Sequence, residues 1–185
     1  MKSIGKIAQV LTKVVEIFHW VGTALMAAAT VCAGVAPSFL KYFVAFDAKE
    51  CCGAELSVWG FEITAPVKDG RVDTLFFILF GIGATVMLAL MALIFRDLNL
   101  IIKRSEGKTP FLPENVRSFR EVGLLSILVP MVGTIMSVIA RIVLGTEAAE
   151  ISANLGGLVI GIVILTFTEY FVRGIELERD VDGLV

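Results

Sequence analysis

Four stretches of the chain run without a charged residue: Ile17 to Leu40, Thr74 to Phe95, Val122 to Ala140 and Ile151 to Thr168, which are 24, 22, 19 and 18 residues long. A helix rises about 1.5 Å per residue, so about 20 residues cross a hydrocarbon core about 30 Å thick, the last two runs using flanking residues at the interface. In lipid, backbone donors and acceptors are satisfied only within a helix or a closed barrel, and these runs lack the alternation of barrel strands. The pattern predicts an all-α membrane protein, a bundle of four transmembrane helices. Residues 1–185 form one integral membrane domain, with an outer loop at 41–73, a loop at 96–121 and a tail at 170–185. A soluble chain of buried core helices would need amphipathic segments to cover it, and none is long enough to serve.

The polar segments carry their own patterns. Ile94, Leu98, Ile101 and Ile102 continue a helical stripe past the second run, which predicts a helix that leaves the membrane and stops near Gly107. Pro110 and Pro113 interrupt it, and Pro113 suits the first turn of a new helix with Glu114 at its positive end. Ahead of the first run, Ile7, Val10 and Leu11 predict an amphipathic turn. In the outer loop, Ser57, Trp59, Phe61 and Ile63 alternate as one face of a strand, and Asp69-Gly70 supplies a turn just beyond, predicting a small β-hairpin.

Composition and charge agree with this reading and orient it. With 57% hydrophobic residues, 18% charged residues and a mean hydropathy of +0.87, the chain is too apolar for an ordinary soluble domain. With the N-terminus inside, eleven Lys and Arg residues fall in inner segments and five in outer ones. The positive-inside rule therefore expects both termini in the cytoplasm, with Arg96 to Arg120 carrying most of the bias. Lys2, Lys6 and Lys13 precede the first run, but that run exceeds the core of about 7–15 residues of a secretory signal, so an uncleaved first helix is expected.

The segment "GKTPFLPENVRSFREVG", the four runs, the long outer loop and the acidic tail "ELERDVDGLV" together resemble a bacterial family of four-span membrane proteins, domain of unknown function twenty-nine seventy-five. The resemblance is carried most specifically by Gly107, Pro110, Phe111, Asn115, Arg117 and Gly123. It implies an integral protein of a bacterial inner membrane and brings no activity or cofactor with it. Leu112 stands where a Thr or Ser cap is expected.

Candidate chemistry is sparse. Glu16 and His19 share a face at the inner end of the first run, Glu169 and Arg173 lie at the inner end of the fourth, and the four form one polar cluster if those helices are neighbours. Arg141, at the outer end of the third run, has Glu147 and Glu150 as potential partners. Snorkelling side chains at the interface account for all of these equally well. Cys51 and Cys52 are candidate thiols on the outer side, whereas Cys32 lies within the first run. The sequence offers no metal-ligand set, nucleotide cradle or catalytic triad, so the expectation is a non-enzyme without a cofactor. Its partners are then the lipid bilayer, and another membrane protein or a second copy, with no nucleic acid.

The runs themselves report packing. Ala24 and Ala28, and the Gly157/Gly161 pair, offer faces for close helix approach. Pro130 is expected to kink the third helix, and Gly81 and Gly83 to loosen the second. The function expected is an interaction, sensing or immunity-type module, the alternative being a small, oligomeric, proton-linked transporter or channel.

Overall fold

The computed structural model describes residues 2–38, 53–68, 71–106, 112–150 and 155–182. Four helices, α1 (Lys2–Val35), α2 (Thr74–Arg104), α3 (Pro113–Leu144) and α4 (Leu155–Asp182), carry the chain. Each is long and apolar enough to cross a membrane, so this is a multi-span membrane protein built as a four-helix bundle. Among the described residues between α1 and α2 are four short strands: β1 (Ala54–Val58), β2 (Phe61–Ala65), β3 (Val67–Lys68) and β4 (Arg71–Val72).

Local chemistry sets the helix ends. α1 stops at Val35, because Pro37 has no N–H to continue the ladder and restricts the residue before it. α2 begins where Asp73 caps it, its Oδ1 accepting from the Leu75 N–H at 2.9 Å. It then runs beyond Phe95 to Arg104, as the Ile94/Leu98/Ile101 stripe predicts, and ends on Lys103 and Arg104, which favour the negative end of the helix dipole. α3 opens on Pro113 with Glu114 in its first turn, also as expected. Leu112 takes the cap position through its backbone alone, its carbonyl accepting from the Asn115 N–H at 2.9 Å.

The chain's contacts divide it into two compact units: Met1–His19 with Leu90–Val129 and Leu155–Val185, and Trp20–Ala89 with Pro130–Asn154. The second contains the strands. β1 and β2 form an antiparallel hairpin in which Val58 pairs with Phe61, and β3 and β4 form a second antiparallel pair in which Lys68 faces Arg71. The hairpin therefore turns at Trp59-Gly60, where both residues adopt positive φ (47° and 87°). This corrects the expectation of one strand through Ser57, Trp59, Phe61 and Ile63: Ser57 and Trp59 belong to the first arm and the turn, and only Phe61 and Ile63 share a strand. A bulky aromatic in the left-handed region is uncommon, which is why alternation misread it. Residues 69–70, where the sequence places an Asp-Gly turn, lie outside the described residues.

Phe61, Ile63 and Ala65 point from β2 into the protein and are fully buried. Phe61 stacks on Phe80 of α2 with ring centroids 5.8 Å apart and planes 14° from parallel. A Cβ on Gly83 would lie 2.5 Å from Phe61 Cε1, so the ring occupies the space that only a glycine leaves. Gly81 does the same for Thr30 of α1. The two glycines thus serve as sockets, rather than loosening the helix as the sequence suggested. The hairpin is also tied down by the backbone, the Thr64 N–H donating to the Ala148 carbonyl at 2.9 Å in the turn after α3.

The first unit holds the α3–α4 crossing. A Cβ on Gly161 would sit 2.8 Å from the Gly123 carbonyl oxygen and 2.5 Å from Ile127 Cγ1, so the helices meet at backbone distance. Gly161 reaches this contact without needing a matching Gly-x-x-x-Gly on α3. Nearby, Phe119 and Phe171 pack with centroids 4.6 Å apart.

Candidate functional site

The first unit also gathers most of the buried polar groups. Asp97, Asn99, Asn115 and Ser118 are buried there, all on the stretches of α2 and α3 that flank their connecting loop. The spacing of Ile94, Asp97 and Ile101 explains the first: it is three and four residues from two buried apolar neighbours and so shares their inward face.

These groups stitch neighbouring helices together. Asn99 Nδ2 donates to the Gln9 carbonyl at 2.8 Å and to Thr12 Oγ1 at 3.1 Å, joining α2 to α1. Arg104 donates to the Glu114 carbonyl at 3.1 Å and to Ser118 Oγ at 3.0 Å, and Asn115 Nδ2 donates to Ser105 Oγ at 3.0 Å, joining α2 to α3. Ties of this kind replace the hydrophobic drive that two helices lack in lipid.

Asp97 is the most unusual member. It is 1% exposed and lies past Phe95, beyond the uncharged part of α2. Its Oδ1 accepts twice from Arg96, from Nε and Nη2 at 3.1 Å each. Its Oδ2 has no hydrogen-bond partner among the described residues. Glu121 Oε1 is held by Arg117 Nε at 2.9 Å, and the Glu121 side chain is 39% exposed. Asp97 and Glu121 are thus each paired with an arginine on its own helix. Comparison with family models, with curated proteins and with solved structures returns no match.

The residues singled out from sequence fall at different places. Glu16 is buried on α1 with both carboxylate oxygens 3.0 Å from Lys13 Nζ. His19 Nδ1 donates to the Val15 carbonyl at 2.8 Å, and its ring stacks on Phe95 of α2 at 5.4 Å. Glu169 and Arg173 are exposed on α4 and make no ion pair among the described residues. The structure therefore ties Glu16 and His19 to α1 and α2, with no described bond drawing Glu169 or Arg173 to them. Arg141 pairs with neither Glu147 nor Glu150 among the described residues.

Of the loop motif, Asn115 is fully buried and ties α3 to Ser105, and Arg117 is exposed on Glu121. Gly107, Pro110, Phe111, Cys51 and Cys52 lie outside the described residues. Among the described residues no group of three His, Cys, Asp or Glu side chains forms a metal site. Sequence reading missed Asp97 because it sought carboxylates inside the uncharged runs. The signal that exposes it is its place on the Ile94/Ile101 face.

Proposed function

We propose that the protein is a non-enzymatic inner-membrane module that works by binding a second membrane helix along α1, in a sensing, protective or regulatory role. One observation carries the reading. Ile7, Val14, Val21, Ala28 and Val35 recur every seven residues along α1, with Val10, Ile17, Ala24 and Val31 three positions after the first four, and all of them are exposed. Leu11, Phe18 and Leu25 widen the stripe and are exposed as well. A strict seven-residue repeat is the pattern of a helix that supercoils with another of the same repeat. From Ile7 to Val35 the stripe runs about 42 Å at about 1.5 Å per residue, against a hydrocarbon core of about 30 Å. Lipid tails cover the part within the core, and the remainder around Ile7 to Val14 is left for a protein partner.

The partner best matched to this repeat is a second copy of the chain. Two copies inserted with the same topology present parallel α1 helices with identical stripes. Photo-crosslinking residues placed at Leu11 and Phe18, with Thr12 on the opposite face as control, test the reading in native membranes. Adducts of about twice the 20.0 kDa monomer from Leu11 and Phe18 but not Thr12 support it. Adducts of another mass keep the docking face but replace its occupant, and no adduct from either stripe position removes the reading.

A small transporter or channel is the second reading, favoured by the buried carboxylate of Asp97. Proton or cation flux in liposomes that Asp97→Asn abolishes would support it, and wild-type liposomes without flux would remove it.

A further inference from the structure

We propose that Lys6 and Lys13 of α1, with Arg96 and Lys103 of α2, form a binding site for the headgroup of an anionic phospholipid. The placement follows from bonds within the first unit. Asn99 donates to the Gln9 carbonyl and to Thr12 Oγ1, which sets α1 beside α2, and His19 stacks on Phe95, which makes the two helices antiparallel. Measured from Asn99 at about 1.5 Å per residue, Lys13 and Arg96 lie about 4 Å toward the uncharged runs, and Lys6 and Lys103 lie about 6–7 Å the other way. The cations therefore form two level pairs, one residue of each pair on each helix.

The pairs also lie on one side of the two helices. A helix turns about 100° per residue, so on α1 Lys6 is displaced about 60° from Gln9, and Lys13 about 100° from Thr12, in the sense of increasing residue number. On α2, Arg96 and Lys103 are displaced about 60° and about 40° from Asn99 in the same sense. Two antiparallel helices are related by a two-fold axis perpendicular to the plane they share, so equal senses turn toward the same side of that plane. With helix axes about 8–10 Å apart and the two levels about 10 Å apart, the cations stand at the corners of one patch. All four are exposed.

Two of the cations are held from beneath by buried carboxylates. Both oxygens of Glu16 lie 3.0 Å from Lys13 Nζ, and Asp97 Oδ1 accepts from Arg96 Nε and Nη2 at 3.1 Å each, which fixes both cations and leaves each with donors to spare. Lys6 and Lys103 make no ion pair among the described residues. Four cations against Glu16 and Asp97 leave two positive charges in excess, and Glu106 lies about one turn beyond Lys103, on the side away from the uncharged runs. The level of the patch selects a lipid. Arg96 follows Phe95, the last residue of its uncharged run, and Lys13 stands just ahead of Ile17, the first of its own. A phosphate at that height accepts charge-assisted hydrogen bonds from lysine and arginine while its tails remain in the hydrocarbon core, an anchor that free phosphate lacks. The site lies beside the apolar stripe of α1 and stands whether or not that stripe binds a second copy.

The test is native mass spectrometry of the full chain in detergent, with phosphatidylglycerol and phosphatidylcholine added in competition. The wild type is expected to retain phosphatidylglycerol about tenfold or more over phosphatidylcholine. Lys6→Gln combined with Lys103→Gln removes two exposed charges and no described bond, and is expected to lower that preference about tenfold. Arg120→Gln combined with Arg173→Gln removes the same charge from exposed positions of the same unit and is expected to leave the preference intact. Inorganic phosphate at the concentration of the lipid is expected to displace nothing. The proposal is overturned if the wild type holds the two lipids alike, if the lysine pair keeps the preference, if the arginine pair loses it equally, or if inorganic phosphate takes the place of the lipid.

Discussion

Gly83→Ala is expected to destabilise the protein mainly through Phe61. The added Cβ would lie 2.5 Å from Phe61 Cε1, 3.0 Å from its Cδ1 and 3.3 Å from Met136 Cε. Carbon atoms rest at about 3.5–4.0 Å, so the ring would need to retreat by about 1 Å. It has little room to do so: Phe61 is fully buried, stacked on Phe80, and carried by a strand whose register is fixed by β1 and by the Thr64 bond to Ala148. Overpacking of this kind costs about 1–3 kcal/mol, and alanine in place of glycine within a helix returns about 0.5–1 kcal/mol, which leaves a net loss centred at about 1 kcal/mol and reaching about 2.5 kcal/mol.

Thermal unfolding of the purified protein in mild detergent reads this loss, with two comparisons to isolate it. Gly22→Ala lies in α1, where the nearest atom is Leu88 Cδ1 at 3.6 Å, an ordinary contact, so it is expected to be neutral or slightly stabilising. Phe61→Leu opens the space beside Gly83 and is expected to lower the cost of Gly83→Ala by about 1 kcal/mol, the coupling typical of residues in direct contact. The socket argument fails if Gly83→Ala is as stable as Gly22→Ala, or if its cost is unchanged in the Phe61→Leu background.

Two further predictions concern the first unit. Gly161→Ala is expected to cost about 2–3 kcal/mol, more than Gly123→Ala. The first meets the Gly123 carbonyl at 2.8 Å, which cannot move aside, whereas the second meets Leu165 Cγ and Cδ2 at 2.8 Å, the end of a flexible side chain; unfolding midpoints of the two variants in detergent compare them. Asn99→Ala removes both bonds to α1 and is expected to cost about 1–2 kcal/mol, seen as faster amide exchange over residues 5–19 with the hairpin unaffected.

The helices were legible because the bilayer imposes length and apolarity on them, and both properties are written in residue order. The start of α3 at Pro113 and the continuation of α2 to Arg104 were equally legible, since proline and a helical stripe act locally. The turn at Trp59-Gly60 was not, because its signal rests on a glycine preceded by a residue that rarely takes positive φ. The sockets at Gly81 and Gly83 were misread for a related reason. A glycine in a run looks the same whether it weakens a helix or admits a neighbour, and only the position of Thr30 and Phe61 decides. Asp97 illustrates the opposite failure. Its helical face was visible in the sequence, but a charge next to Arg96 in a basic loop reads as a solvated pair until its burial is known.

The distribution of side chains on α1 separates the face used in packing from the exposed stripe on which the proposed function rests. Toward α2 the helix presents small and polar groups: Gly22 against Leu88, Thr30 against Gly81, Gly34 against Ile78, and the Gln9 carbonyl and Thr12 against Asn99. These give close approach and hydrogen bonds, the two forces that hold helices together where tails are as apolar as side chains. The large apolar residues, Leu11, Phe18, Leu25 and Val31, are left on the other side, where the fold of one chain does not use them. Within the hydrocarbon core lipid satisfies such a face, and no partner need be invoked for Leu25 or Val31. The argument for a partner therefore narrows to Ile7, Val10 and Leu11, between Lys6 and Lys13, and Val14 just after, at a level where tails no longer reach if Val35 marks the other surface. A charge placed at Leu11 separates the alternatives, because it leaves insertion and the α1–α2 bonds intact and disturbs only what lies against the stripe.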